Sequence, residues 1–402
     1  MYYYYPDYFD SFRCVGGVKC PDSCCHIWQI TVDKKTLKKY NKVKGELGRR
    51  MRKKIDRKTG NIVPHGKENR CEFLNDDNLC DIVLQLGENY LCHTCHTHPR
   101  HEEVYHNVRE RSLAITCPIV CKELLMRESP VTIQIKKDNK IDFFDRYFDS
   151  SLYAQLSYIR DNMLSIVQDR QFAIFKRMAL ILVISHYIQR HINKRQSRLR
   201  KSFINKIFSS YPDFLPVEKK DIEKTLTTYS KMSIHMTDKI TAGFVKRSLT
   251  DMIFTLCTME PLKNTWLPYL NSIINIRTQM EDEEYNICQK EFNREITDIQ
   301  LEQLLFYFVY LYCCTATYDG FLLAKIKMAV ANTLLIRELW FMRWLEDNKV
   351  LSVDTLTEMA HWFVREVENS DENLEQWDSL MQRNPRFSLE ILIKICSYFN
   401  YL

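Results

Sequence analysis

Residues 304–314 read LLFYFVYLYCC, and residues 178–188 read MALILVISHYI. Both runs fall short of the ~20 apolar residues that a helix needs to cross a bilayer, so they read as buried helices and not as membrane spans. Around them apolar residues return at helical spacing through 152–168, 170–193, 217–235, 244–258, 264–285, 298–317, 321–346, 353–369 and 387–400. Asp298 stands where a side chain would cap the start of the 299–317 run, and Ser352 or Asp354 where one would cap 355–368. No fixed repeat period joins these segments, which argues against a solenoid. Residues 149–402 are therefore expected to form one all-helical domain.

The preceding 148 residues follow a different grammar. Ten of the fifteen cysteines lie between Cys14 and Cys121, seven of the eleven histidines precede residue 107, and seven of the nine glycines precede residue 88. Glycines concentrate where backbone must turn tightly around something small. Trp28, Ile30 and Val32 alternate with polar neighbours as in a brief strand, and Asp33 is placed to cap a helix carrying Leu37, Tyr40, Leu47, Met51 and Ile55. Val131, Ile133 and Ile135, then Lys-Lys-Asp-Asn-Lys, then Ile141 and Phe143 suggest a β-hairpin. The expected fold is thus mainly α: a small Cys-rich α+β metal-binding unit over residues 1–148, followed by the helical domain.

Hydrophobic residues make up 45% and charged residues 27% of the 402, an ordinary globular balance without the signature of disorder. The net charge is only +6, and thirteen Lys/Arg fall within 34–58 against Glu46 and Asp56. That distribution does not point to nucleic acid; it describes a solvated helix face or a docking surface for an acidic partner. MYYYYPDYFDSF at the start lacks the basic and apolar regions of a signal peptide. Many thiols without an export signal are expected in a reducing compartment, where they serve metals more often than disulfides.

The thiols come in groups: Cys14, Cys20, Cys24 and Cys25; Cys71 and Cys80; Cys92 and Cys95; Cys117 and Cys121. Close pairs in loops bring thiolates together at little entropic cost, and Cys92-x-x-Cys95 has a chelating spacing. The expected metal ligands are Cys14, Cys20, Cys24, Cys25, Cys71, Cys80, Cys92, Cys95 and Cys117. These suffice for an iron–sulfur cluster with thiols to spare or for two zincs, and the surplus favours the cluster. His26, His93, His96, His98, His101 and His106 crowd the same region as candidate mixed ligands, and Arg100 is a candidate second partner for thiolate charge. Cys257, Cys288, Cys313, Cys314 and Cys396 lack ligand spacing and read as core thiols. There is no G-x-G-x-x-G, G-x-x-x-x-G-K-[ST], G-x-S-x-G or H-E-x-x-H, and Cys20-x3-Cys24 is followed at once by Cys25, which breaks the radical-SAM Cys-x3-Cys-x2-Cys spacing.

Phe12-Arg-Cys14, Cys20-Pro-Asp-Ser-Cys24-Cys25 with Trp28, Cys71-Glu-Phe-Leu-Asn-Asp-Asp-Asn-Leu-Cys80, Leu86-Gly87-Glu88, Leu91-Cys92-x-x-Cys95, Pro99-Arg100 and Ser112-Leu-Ala-Ile-Thr-Cys117-Pro118 occur in an order that resembles the flagellin lysine-N-methylases. That resemblance implies transfer of methyl groups from S-adenosylmethionine to lysines of flagellin, in the bacterial cytoplasm, by a protein with this helical remainder. A lysine amine has a free pKa of ~10.4 and must lose its proton before it attacks a methyl sulfonium, so the protein must supply a base or a desolvating pocket. No residue in the sequence stands out as that base. The alternative from a different class is a non-catalytic zinc-stabilised binding module that uses the basic 34–58 face.

Overall fold

In the computed structural model, which describes residues 1–15, 20–25, 30–64, 70–139, 148–205 and 240–402, the tyrosine-rich N-terminus becomes strand β1 (Tyr2–Pro6). β2 (Arg100–Tyr105) and β3 (Val108–Leu113) form an antiparallel ribbon, and β4 (Ile133–Lys137) completes a sheet of order β2-β3-β1-β4. β1 runs parallel to β3, with Tyr2 opposite Val108, and antiparallel to β4, with Tyr4 opposite Ile135. The hairpin expected at 131–143 is therefore corrected in part: its first arm pairs with the N-terminus, 130 positions away in sequence, and its second arm lies outside the described residues. Trp28 is also outside them, and the strand expected beside it reduces to a single bridge between Thr31 and Asn61.

The basic segment folds as two helices, not one. α1 (Lys34–Tyr40) is capped by Asp33, whose side chain accepts from the Thr36 N–H at 2.9 Å. α2 (Gly45–Lys54) follows after a turn in which Gly45 takes φ +77°, a left-handed conformation that breaks the helix. Tyr40, Leu47, Met51 and Ile55 are buried as their spacing predicts, and with Ile30, Val32, Ile62, Phe73, Ile82 and Cys92 they make a small hydrophobic core. Short helices α3 (Asp81–Leu86) and α4 (His93–Thr97) pass along it, and α5 (Pro118–Leu125) follows β3.

The second core runs from Tyr5 and Phe9 through Leu113 and Leu125 to Phe399, so the sheet and α5 share it with the helices that follow. These are α6 (Ser150–Val167), α7 (Ile174–Asn205), α8 (Ala242–Leu256), α9 (Trp266–Gln279), α10 (Asp282–Glu295), α11 (Asp298–Tyr312), α12 (Ala316–Asp319), α13 (Leu322–Glu346), α14 (Val353–Glu368), α15 (Asp371–Arg383) and α16 (Leu389–Asn400). α13 is buried on every side, with Leu335, Leu339 and Trp340 fully enclosed, as befits the central helix of a bundle. α11, which carries the LLFYFVY run, and α7, α14 and α15 pack around it. The expected 264–285 helix is split at Met280 and Glu281, the 217–235 segment lies outside the described residues, and α15 has no counterpart among the expected helices. Thr297, not Asp298, caps α11: Thr297 and Gln300 form a capping box, and Asp298 instead accepts the Ile174 N–H at 2.9 Å. Among the described residues no helix is long and apolar enough to cross a membrane.

Candidate functional site

Cysteines cluster where short elements begin. Cys80, Cys92 and Cys117 are the residues immediately preceding α3, α4 and α5, so first-turn N–H groups lie toward their thiols. Burial pushes the Cys117 thiol up to about 11 against the pull of the Val120 and Ile119 amides. Cys92 is held down to about 7 chiefly by the Cys95 thiol, with help from the Cys95 and Thr94 amides. The Cys95 thiol is driven upward in return by that hydrogen bond and by burial.

The thiols sort into two neighbourhoods. Cys71 feels the charge of Cys25, Cys80 and Cys92, and Cys95 that of Cys92, Cys25 and Cys71. This group, Cys25, Cys71, Cys80, Cys92 and Cys95, borders the small core, and the Cys71 N–H is bound to the Cys25 carbonyl at 2.8 Å. The other group is Cys14, Cys20, Cys24 and Cys117: Cys24 feels Cys117 and Cys14, and Cys117 feels Cys20 and Cys14. The adjacent Cys24 and Cys25 side chains join the two groups, Cys24 pushed up and Cys25 held down to about 7 by their mutual hydrogen bond. None of the fifteen cysteines, all of them among the described residues, is joined in a disulfide. Among the described residues, however, no three His, Cys, Asp or Glu side chains come close enough together to hold a metal ion. The donor chemistry fits a thiolate-held metal, while the side chains stand short of a closed coordination shell.

The second group abuts α14. On that helix Thr357, His361, Arg365 and Glu368 recur at helical spacing on one face. The Cys121 thiol donates to the Thr357 carbonyl at 3.8 Å. Arg365 Nη1 donates to Asp22 Oδ2 at 2.9 Å, and His361 Nε2 lies 3.8 Å from the same oxygen. Burial, then the Arg365 charge, lowers both His361 and His98 to about 4, so both imidazoles are neutral near pH 7. Arg365 is thus the cation of this junction, and the Cys20 thiol lies within its field.

Other candidates have different work. Arg100 donates to the Phe12 carbonyl at 3.2 Å and covers the Phe12 ring, which steadies the chain entering Cys14. The His93 N–H is bound by Asp33 Oδ2 at 3.0 Å, His101 lies 3.3 Å from Glu103, His106 stacks on Phe148, and His26 lies outside the described residues. Cys288, Cys313, Cys314 and Cys396 are buried in the helical core, and Cys257 is half-buried at its edge. The polar face of α14 escapes sequence reasoning, although Thr357, His361, Arg365 and Glu368 at helical spacing are a visible signal.

Residues 160–395 match the family model described as the FliB lysine N-methylase C-terminal domain. The chain belongs to the FliB lysine N-methylase family. In this FliB-family chain the matched region runs from α6 into α16 and includes α14, whereas all nine candidate thiol ligands precede it. The chain is 32% identical over 154 residues to a flagellar biosynthetic protein FliU of Salmonella muenchen, covering 36% of this chain and 90% of that one. It is 35% identical over 127 residues to the lysine-N-methylases of Salmonella typhimurium strain LT2 and Salmonella choleraesuis strain SC-B67, and these alignments cover 30% of this chain and 31% of each relative. No solved structure matches.

Proposed function

We propose that this chain is a protein-lysine N-methyltransferase that transfers methyl groups from S-adenosylmethionine to surface lysines of flagellin in the bacterial cytoplasm. The observation that carries this reading is the family match over 160–395, reinforced by relatives named lysine-N-methylase. A neutral lysine amine is already a competent nucleophile and a sulfonium methyl is already activated, so simple displacement suffices once the two are positioned and desolvated.

The reading includes a metal centre held by the thiols, with an iron–sulfur cluster favoured over zinc. The candidate ligands are Cys14, Cys20, Cys24 and Cys117 in one group and Cys25, Cys71, Cys80, Cys92 and Cys95 in the other. An iron left one ligand short would supply an anchor for the amino and carboxylate groups of the methyl donor. The chain's own residues hold this region against the helical domain through Asp22 to Arg365 and Cys121 to Thr357, while Asp33 binds the start of the short helix that carries Cys95.

The decisive experiment is mass spectrometry of flagellin incubated with S-adenosylmethionine and either the native protein or its Cys24→Ser/Cys92→Ser variant. Methylation by the native protein alone is expected. Equal methylation by both separates the thiols from the chemistry, and no methylation by either rejects the enzyme. A second reading, an acidic-partner binding module, draws on an open depression of about 510 Å³ lined by Lys42, Lys44, Arg49 and Arg52 between α1 and α2. Steeply salt-dependent binding without turnover would favour it.

A further inference from the structure

Four glutamates are buried among the described residues, and each is answered. Glu110 receives Arg160 and, at 2.7 Å, the Tyr153 hydroxyl. Glu302 lies 2.9 Å from Arg170 and 2.6 Å from Arg177, and Glu338 pairs with Arg277. Glu366 accepts the N–H groups of Leu262 at 2.7 Å and Lys263 at 2.9 Å, which fixes the loop between α8 and α9. Glu368, on the last turn of α14, is built differently. It is half-buried, no arginine or lysine among the described residues pairs with it, and both carboxylate oxygens are held by phenols of α11. Tyr307 donates to Oε2 at 3.0 Å and Tyr312 to Oε1. Tyr312 is itself braced by Asn332 Nδ2 at 3.4 Å, and Asn332 by Trp377 Nε1 at 2.8 Å, so the receiving frame reaches back into the bundle.

We propose that Glu368 is the proton acceptor for the target lysine, an inference that rests on the methyltransferase reading and adds the residue that its chemistry requires. The two neutral donors orient the carboxylate without neutralising it, whereas an arginine partner would leave a poor base. Its position at the carboxyl end of a helix sets it against the negative end of the backbone dipole, which favours proton uptake. Burial raises the carboxyl to about 7, opposed by the Tyr312 and Tyr307 hydroxyls and by the charge of His101. Tyr8 faces Tyr307 in turn, and Arg365, one turn earlier on the same helix, is engaged by Asp22. The same frame touches the thiol-rich segment, because the amide of Ile115, two residues before Cys117, faces the Tyr307 phenol.

The step balances with the methyl sulfonium of the proposed donor. One proton passes from the lysine ammonium to Glu368, and the freed nitrogen lone pair forms the N–C bond. The C–S bond breaks with its electrons going to sulfur, leaving a neutral thioether and a protonated methylated amine.

The test is the pH profile of single-turnover methylation of flagellin by the full chain. Native protein should show a rate that rises with pH and breaks near the Glu368 value. Glu368→Gln should lose about 100-fold or more at neutral pH, the usual scale of a general base, and show only the unbroken rise from ionisation of the lysine itself. Tyr307→Phe removes a donor from the carboxylate and should move the break to higher pH, a shift that a merely structural tyrosine would not cause. A Glu368→Gln protein with native melting temperature and an unchanged profile overturns the proposal. Should that variant fail to fold, a Tyr307→Phe profile that coincides with the native one overturns it equally. Absence of methylation by the native protein is a different outcome, since it rejects the methyltransferase reading and this inference with it.

Discussion

Arg365 and Asp22 stand 343 positions apart in the chain and 2.9 Å apart in space. The pair joins the matched family region to the segment between Cys20 and Cys24, so the thiol-rich loop is seated on α14 by an ion pair whose arginine side chain is only 3% exposed. Removing one member leaves the other charge poorly solvated, which costs more than the pair itself contributes. Because Asp22 keeps 22% of its side-chain exposure, Arg365→Met should destabilise the fold by about 1–3 kcal/mol, below the fully buried case. A double-mutant cycle with Asp22→Asn, read by urea denaturation, should return a coupling of about 1 kcal/mol or more. A coupling near zero would mean that the loop is seated by other contacts.

The same junction makes stability depend on pH. His361 is held at about 4 in the folded protein against an ordinary value of 6.5, first by burial and then by the Arg365 charge. Between those values the unfolded chain takes up a proton that the folded chain refuses, so this stabilisation is present above pH 6.5 and is lost as pH falls toward 4. Glu366 and Glu368, both raised to about 7, act with the opposite sign over part of the range. The clean observable is therefore the difference between native and His361→Gln curves, which should flatten above pH 6.5 and slope below it. A constant difference across the window would place the histidine in a solvated setting.

How much of this was legible depends on the range of the interactions involved. Asp33 and Ser352 were readable as caps because a cap bonds an amide three residues away, and both side chains do so. The buried face of α1 and α2 followed from spacing, and the enclosure of LLFYFVY from an apolar run too short to span a bilayer. Asp298 was misplaced as a cap because its carboxylate is drawn to α7, where it accepts the Ile174 N–H and faces Arg177, and Thr297 takes the local role. The partner of Val131–Ile135 was illegible for the same reason, since β4 finds the chain start across more than a hundred residues.

The site divides in the same way. The thiols announced themselves by spacing, and Cys80, Cys92 and Cys117 prove to begin helices, a local feature. Their sorting into two neighbourhoods and the face presented by His361, Arg365 and Glu368 depend on tertiary packing. α15 could have been found, because Leu374, Trp377 and Met381 lie at helical spacing after Ser370, which caps it.

Asp33 serves two helices at once. One oxygen caps α1 at Thr36 and the other binds the His93 N–H that opens α4, and the His93 amide is the first cause of a carboxyl held down at about 2. Asp33→Ala should cost about 1–2 kcal/mol as a lost cap, and should also loosen the turn carrying Cys92 and Cys95. Hydrogen exchange at the amides of residues 93–97 should quicken in this variant. Unchanged exchange there, with the full loss of stability, would confine Asp33 to its capping of α1.

The two thiol neighbourhoods predict how metal is lost. If they hold separate centres, Cys92→Ser should empty the group at the small core and Cys117→Ser the group against α14, each removing about half of the bound metal, because losing one ligand opens a whole chelate. The double variant should retain none. Cys24→Ser and Cys25→Ser should resemble Cys117→Ser and Cys92→Ser respectively, since those adjacent thiols belong to different groups. Cys313→Ser and Cys396→Ser should keep all the metal, because both thiols are enclosed in the helical core. Metal analysis and the absorption spectrum of anaerobically purified variants provide the measurement: a brown protein is expected from iron and sulfide, a colourless one from zinc. Complete loss in each single N-terminal variant would mean one shared centre bridged through Cys24 and Cys25, and unaltered metal in all of them would remove the thiols from metal binding.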